Sequence, residues 1–158
     1  MIRDDIKSLL SYCQETGVFR WRVKRSNVIP AGSLAGGICN GYRRICVKAK
    51  TYTAGRLAWY FVHGEWPHGV IDHINGNPDD NRIANLRSVS QKVNTQNKHR
   101  ARSDSRSQLM GAHPHSGNWV ATIHVDGKSK YLGYFKTAEA AHAAYVNAKR
   151  ELHEGCTI

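Results

Sequence analysis

The first sixty residues alternate short apolar patterns with turns rich in glycine. Residues 1–12 predict a helix with one apolar face. The side chains of that face are Ile2, Ile6, Leu9 and Leu10. Residues 18–23 and 42–47 alternate apolar and basic side chains, which predicts two half-buried strands whose arginines face either a DNA groove or solvent. Residues 54–63 predict a helix that ends at Gly64.

The next segment, residues 66–100, predicts a strand, a loop, a second strand and a helix in that order. The first strand covers residues 70–72 and the second covers residues 85–89. Ser90 is a suitable N-cap for a helix from about residue 91 to residue 99.

The C-terminal third predicts a linker, a small sheet and a helix. Residues 100–109 are polar, basic and rich in serine, as linkers are. Three strands are predicted, over residues 111–115, 118–125 and 128–135, with the Asp126-Gly127 hairpin turn between the last two. Thr137 is the expected cap of a helix that runs to about residue 153. Its predicted packing side consists of Ala140, Ala141, Ala144, Tyr145, Ala148 and Leu152.

The charge of the chain favours a polyanionic partner. The 158 residues contain 23 Lys and Arg against 12 Asp and Glu, for a formal net charge of +11. Such a surface attracts nucleic acid. The four cysteines are scattered, which predicts free thiols in a reducing compartment. No apolar run reaches membrane-spanning length, so the expectation is a soluble intracellular protein without a membrane partner.

The residues around Asp72-His73 carry the candidate chemistry. Asp is a hard oxygen ligand for Mg²⁺, and His accepts a proton from water near neutral pH. Together these two side chains suggest hydrolysis of a phosphodiester. No Ser or Cys occupies a strand-turn-helix elbow, so nothing indicates a covalent nucleophile.

An ordered string of motifs resembles the phage-type HNH homing endonucleases. It consists of Asp72-His73, Asp80-Asn81-Arg82, Asn85-Leu86-Arg87, Asn94 and Asn97, with Arg56-Leu57-Ala58-Trp59 and Gly64-Glu65-Trp66-Pro67 upstream. The resemblance covers roughly residues 15–100. It implies a ββα-metal core in a phage protein that acts in the bacterial cytoplasm.

The same resemblance implies a role for each site residue. Asp72 and Asn94 would ligate one Mg²⁺ or Mn²⁺ per active site, and His73 would be the general base. Asn85 occupies the position that orients the catalytic histidine, although it could instead cap a turn. His99, five residues after Asn94, is an alternative ligand.

The C-terminal unit resembles the plant ethylene-response-factor type of DNA-binding domain. The matching residues are 117–123, Leu132-Gly133-Tyr134-Phe135, 137–141 and Ala144-Tyr145. The resemblance implies that the outer sheet face enters the major groove. On the middle strand, alternation turns Trp119, Ala121, Ile123 and Val125 toward the helix.

Two sets of residues are candidates for DNA contact. A basic stripe would follow phosphates and consists of Arg82, Arg87, Lys92, Lys98, Arg100, Arg102 and Arg106. The outer sheet face would approach bases through His113, His115, Thr122, His124, Ser129 and Tyr131. Zinc binding by His113, His115 and His124 is an alternative for that face.

These observations predict an α+β protein with three parts. They are an HNH nuclease region over residues 1–100, with a β-rich N-terminal arm and a core at about 66–100, a basic linker over 101–109, and a three-stranded sheet plus helix over 110–158. The predicted function is metal-dependent cleavage of double-stranded DNA, by a monomer that nicks or a homodimer that cuts both strands. A catalytically silent DNA-binding regulator and a nuclease acting on RNA are the alternatives.

Overall fold

All the β-sheets among the described residues are antiparallel and have two or three strands. The structure is a computed structural model that describes residues 3–158, with side chains from Ile6 onward. Helices and strands are mixed, which agrees with the predicted α+β class. The chain divides into two units, of which the first ends at Val89 and the second spans Ser90–Ile158. The three-part division given above stays a prediction.

Within its described residues, the first unit contains two helices and three small sheets. Its elements are α1 Arg3–Leu9, β1 Leu10–Tyr12, β2 Phe19–Trp21, β3 Gly37–Cys39, β4 Tyr42–Val47, β5 Lys50–Thr53, α2 Ala54–His63, β6 Val70–His73, a 3₁₀ turn Ile83–Asn85 and β7 Leu86–Val89. β1 pairs with β2, β4 lies between β3 and β5, and β6 pairs with β7. The core between these elements is apolar and includes Phe19, Ile45 and Leu57, none of which has any exposed surface.

The first predicted helix is shorter than expected. It ends at Leu9, and residues 10–12 form β1 instead. Leu10 pairs with Trp21 across the β1–β2 ladder and is fully buried there. Burial against the partner strand therefore overrides the helical pattern. Ile2, which the sequence placed on the helix face, lies outside the described residues.

Helix α2 agrees with the prediction at both ends. It spans Ala54–His63, and Gly64 follows in the left-handed region with φ of 76°. The Gly64 amide donates to the carbonyl of Tyr60 and closes the last turn. Glycine adopts this conformation without a steric penalty, which is why the sequence signal was reliable.

The second unit contains a short helix, a sheet and a long helix. Its elements are α3 Gln91–Gln96, β8 Ala112–His115, β9 Asn118–Val125, β10 Lys128–Phe135 and α4 Ala138–Leu152. β9 is the central strand, and α4 packs on the sheet through Ala112, Ala121 and Ala141. Both predicted N-caps are present, because Ser90 accepts from the amide of Val93 and Thr137 accepts from that of Ala140.

Two details of the helices in this unit differ from the prediction. α3 stops at Gln96 rather than at residue 99, because the next side chain, Asn97, is buried and accepts a hydrogen bond from Thr157. On α4, Ala140 is exposed, whereas Lys149 is 1% exposed. The Lys149 ammonium donates to the carbonyl of Lys98, so a tertiary contact buries a residue type that is usually exposed.

Residues 97–111 contain no helix or strand, and the assignment of residues 101–109 as a linker stays a prediction. All four cysteines are free, as predicted. Among the described residues, no helix is both long enough and apolar enough to cross a membrane.

Two glycines of the second unit allow a matched test of its packing. Gly111 and Gly117 have φ of 74° and 78°. A Cβ at Gly111 would lie 2.1 Å from the ring of Tyr145, whereas nothing lies within 4 Å at Gly117. We expect Gly117→Ala to cost about 1 kcal/mol of unfolding free energy through backbone strain alone. Gly111→Ala should cost about 1–3 kcal/mol more through overpacking. Urea unfolding of both variants measures the difference, and equal losses would contradict the packing of α4 described above.

Candidate active site

The end of strand β6 brings Asp72 and His73 into the first unit's interior. Asp72 is 4% exposed and His73 is 8% exposed. Across the ladder, Asp72 pairs with Arg87 and His73 pairs with Leu86 on β7. Adjacent residues of a strand point to opposite faces, so the two side chains meet different neighbours.

The carboxylate of Asp72 forms an ion pair with its cross-strand partner. Arg87 Nε lies 2.8 Å from Asp72 Oδ2. The Arg87 side chain is 29% exposed, so this contact is partly shielded from water. Arg87, which the sequence assigned to phosphate contact, therefore also fixes the orientation of the Asp72 carboxylate.

The imidazole of His73 lies against a buried amide. Its Nε2 is 3.3 Å from Oδ1 of Asn81, a residue that is only 2% exposed. Burial lowers the pKa of His73, although the hydrogen bond to Asn81 and the charge of Asp72 oppose this effect. The net direction favours a neutral imidazole near pH 7, the form that accepts a proton.

Asn85 has a different set of contacts from the predicted one. Its Oδ1 accepts from the amide of Asn75 at 2.9 Å, and its Nδ2 donates to Asn75 Oδ1 at 3.0 Å and to the carbonyl of Asp80 at 2.8 Å. Asn85 thus closes the loop of residues 75–80 and does not bond to His73. The expected contact with the His73 imidazole is made by Asn81 instead. Asn85 lies opposite Ile74, the residue after His73, and its carbonyl accepts a hydrogen bond from the Ile74 amide.

Ion pairs hold the same loop in shape. The Arg43 guanidinium contacts both carboxylate oxygens of Asp79 at 3.0 and 3.2 Å. Arg82 contacts both oxygens of Asp80 at 2.8 and 2.6 Å, which lowers the pKa of Asp80 to about 2.

Among the described residues, no group of three His, Cys, Asp or Glu side chains could hold a metal ion. Among these described side chains, His113, His115 and His124 accordingly form no such group.

A glycine of helix α2 completes the site and was missed by the sequence reasoning. A Cβ on Gly55 would lie 3.3 Å from Asn81 Oδ1 and 3.5 Å from His73 Cε1. The first distance is tight for a Cβ and the second is an ordinary van der Waals contact, so α2 packs next to the Asn81–His73 pair. The available signal was a glycine inside an apolar helical pattern, where it is otherwise unfavourable.

Asn94 lies on α3, in the second unit. Its amide donates to the carbonyl of Ser90, and the residue is half-buried. The C-terminal segment holds this helix, because Gly155 donates to Gln96 Oε1 at 3.1 Å. The alternative ligand His99 is engaged through Nε2 with Asn97 and Thr157.

The predicted basic stripe separates into two groups. Arg82, Arg87 and Lys92 form ion pairs, with Asp126 as the partner of Lys92 at 2.7 Å. The remaining four side chains are exposed and line a concave region of about 430 Å³ in the second unit. They are Lys98, Arg100, Arg102 and Arg106.

The outer sheet face contains the predicted base-facing residues in aligned rows. His124 pairs with Ser129, Thr122 pairs with Tyr131, and His113 pairs with Val120. Thr122 is half-buried, whereas the other candidates, including His115, are exposed.

Tyr134 joins this outer row although the sequence reasoning did not include it. It pairs with Val120, and its hydroxyl accepts from Asn118 Nδ2 at 3.0 Å. A β-bulge between Tyr131 and Gly133 reverses the alternation at this point of β10. Gly133 was the available signal, because glycine within a strand pattern marks bulges.

Comparison with known proteins shows that the Asp72–His73 site lies in a segment that matches a known protein family. Residues 52–96 match the HNH endonuclease family. This range contains Asp72, His73, Asn81, Asn85 and Asn94. The chain is also similar to DNA endonuclease I-HmuI of Bacillus phage SP01, with 43% identity over 63 residues. That match covers 37% of this chain and 36% of the relative, so the chain corresponds to about a third of the relative's length. No solved structure gives a significant match.

The low pKa of Asp80 predicts how the site loop responds to acid. The folded-state pKa of about 2 lies below the ordinary value of about 3.9 for Asp. The stabilisation is therefore fully present above about pH 4 and is lost as pH falls toward 2. We expect Asp80→Asn to lower the unfolding free energy at pH 6 and to reduce its acid dependence between pH 4 and 2. Asp104→Asn, at an exposed position of the second unit, is the control. Parallel pH curves for wild type and Asp80→Asn would contradict the assignment.

Proposed function

We propose that the protein is a metal-dependent DNA endonuclease of the HNH homing type. The observation that carries the proposal is the buried Asp72–His73 pair at the end of β6, within the segment that matches the HNH endonuclease family. The similarity to a phage DNA endonuclease supports DNA as the substrate.

Hydrolysis of a phosphodiester needs an activated water and stabilised charge on the phosphate. In the proposal, His73 takes the proton from the attacking water, since burial favours its neutral form. Asp72 and Asn94 would hold the divalent metal. Both offer oxygen, the donor that Mg²⁺ and Mn²⁺ prefer, so the donor chemistry fits. When bound, such a metal neutralises charge on the phosphate and on the leaving 3′ oxygen.

Binding of DNA would combine two surfaces of the second unit. The exposed Lys98, Arg100, Arg102 and Arg106 suit phosphate contacts, which supply affinity without sequence choice. The outer sheet face would supply base contacts in the manner of ethylene-response-factor domains. Its side chains are mostly His, Thr, Ser and Tyr rather than Arg, which favours modest sequence discrimination.

The role of His73 can be separated from DNA binding. We expect His73→Ala to lower the nicking rate of plasmid DNA by about 10²–10⁴-fold in Mg²⁺, because general-base catalysis typically contributes that much. DNA affinity in a gel-shift assay should change little. Nicking above a tenth of the wild-type rate would contradict the assignment. Lost affinity with unchanged cleavage at saturating DNA would indicate a binding role instead.

The metal assignment makes a second prediction. Asp72→Ala should weaken Mg²⁺ or Mn²⁺ binding to the DNA complex more than Asn94→Ala does, because Asp72 supplies the only charge of the pair. Calorimetric titration of metal into each complex measures this, with Asp104→Ala as a carboxylate control in the second unit. Unchanged metal affinity in the Asp72 variant would refute the assignment of Asp72 as a ligand, whereas absence of metal binding in the wild-type complex would favour a catalytically silent DNA-binding protein.

A further inference from the structure

Asn81 is a buried polar residue that the proposed mechanism does not yet use. It is 2% exposed and lies within hydrogen-bonding distance of the imidazole of His73. A buried amide costs free energy unless its groups are paired, so its contacts reveal what orientation the surroundings impose.

The orientation of the Asn81 amide follows from its second contact. Its Nδ2 donates to the carbonyl of Asp79 at 3.0 Å, and a carbonyl can only accept. The amide oxygen therefore faces His73 Nε2. Since that oxygen is also only an acceptor, the proton of the neutral imidazole lies on Nε2, and the ring lone pair lies on Nδ1.

The β1–β2 hairpin, the N-terminal hairpin, contacts the backbone of Asn81. Tyr12, on β1, donates from its hydroxyl to the carbonyl of Asn81 at 2.7 Å. A Cβ on Gly17 would lie 2.5 Å from the carbonyl carbon of Asn81 and from the amide nitrogen of Arg82. The turn between β1 and β2 therefore packs directly on this backbone.

Helix α2 also borders this pair. A Cβ on Gly55 would lie 3.3 Å from Asn81 Oδ1 and 3.5 Å from His73 Cε1, so the helix backbone lies next to both side chains. The β1–β2 hairpin and α2, both distant from Asn81 in sequence, thus meet at this residue.

We propose that Asn81 is the positioning residue of His73, that it sets the Nε2–H tautomer and ring orientation of the general base, and that Tyr12 holds Asn81 in place. The proposal rests on the assignment of His73 as base. Tyr12 and Gly17 lie far from the HNH motif in sequence but contact Asn81. The proposal therefore gives the β-rich N-terminal arm a part in the chemistry.

The tautomer can be measured without any cleavage assay. Two-bond ¹H–¹⁵N spectra of the wild-type protein at pH 7.5 distinguish the two nitrogens of His73. We expect a single Nε2–H tautomer. An Nδ1–H tautomer in the wild-type protein would overturn the proposal without a variant having to fold.

Two substitutions separate positioning from stability. Asn81→Leu removes the acceptor, and we expect mixed tautomers and nicking reduced about 10–100-fold, the usual effect of losing an outer partner of a site histidine. Asn81→Asp keeps an oxygen facing Nε2 but places a second oxygen against the Asp79 carbonyl. Its negative charge also raises the pKa of His73. The variant should be less stable than wild type yet, at a pH above that pKa, keep the Nε2–H tautomer and most of the rate. Tyr12→Phe should lower the rate by a smaller factor.

The control is Ile45→Val, a change in the same core that lies outside the Asn81–His73 contact. It should lower the melting temperature and leave the tautomer and rate unchanged. Equal rates in Asn81→Leu and wild type, or equal losses in the Leu and Asp variants, would overturn the proposal. If wild-type protein shows the expected tautomer but nicks no DNA, the proposed function fails while the contact itself stands.

Discussion

The hydrogen bond between His73 and Asn81 is the contact on which the candidate site depends. These two polar side chains are buried side by side, and leaving either unpaired would cost about 1–3 kcal/mol. The surrounding structure accordingly satisfies both. Tyr12 bonds the Asn81 backbone, and Gly17 and Gly55 allow close approach from two sides. The N-terminal hairpin is therefore part of the site's support.

The helix that carries Asn94 depends on contacts of another kind. α3 has six residues, and a helix of this length gains little stability from its own hydrogen bonds. None of its residues is buried, so it gains little from apolar packing either. Its side chains bond to distant parts of the second unit, with Lys92 contacting Asp126 and Gln96 contacting Gly155. Two residues after the helix, the carbonyl of Lys98 accepts a hydrogen bond from the Lys149 ammonium. The proposed metal ligand thus belongs to a segment ordered by the C-terminal residues.

The sequence predicted best the elements whose ends are marked locally. Gly64 ended α2 and Asp126-Gly127 formed the hairpin turn, because both conformations follow from the residue itself. The role of Asn81 was not predictable, since alternative amides lay within the same motif and only the loop's fold decides which one reaches His73. The predicted packing side of α4 did not include Lys149, which is buried by a tertiary bond to the carbonyl of Lys98. A bulge placed Tyr134 on the outer face against strict alternation.

In the proposed function, this chain cleaves DNA with a bound divalent metal. Nicking of supercoiled plasmid by the purified full chain tests it directly, measured in Mg²⁺, after addition of EDTA, and after Mg²⁺ is restored in excess. We expect nicking in Mg²⁺, none in EDTA and recovery when the metal returns. Nicking that persists in EDTA would contradict metal dependence, and absence of nicking in every condition, with intact DNA binding, would contradict the nuclease assignment.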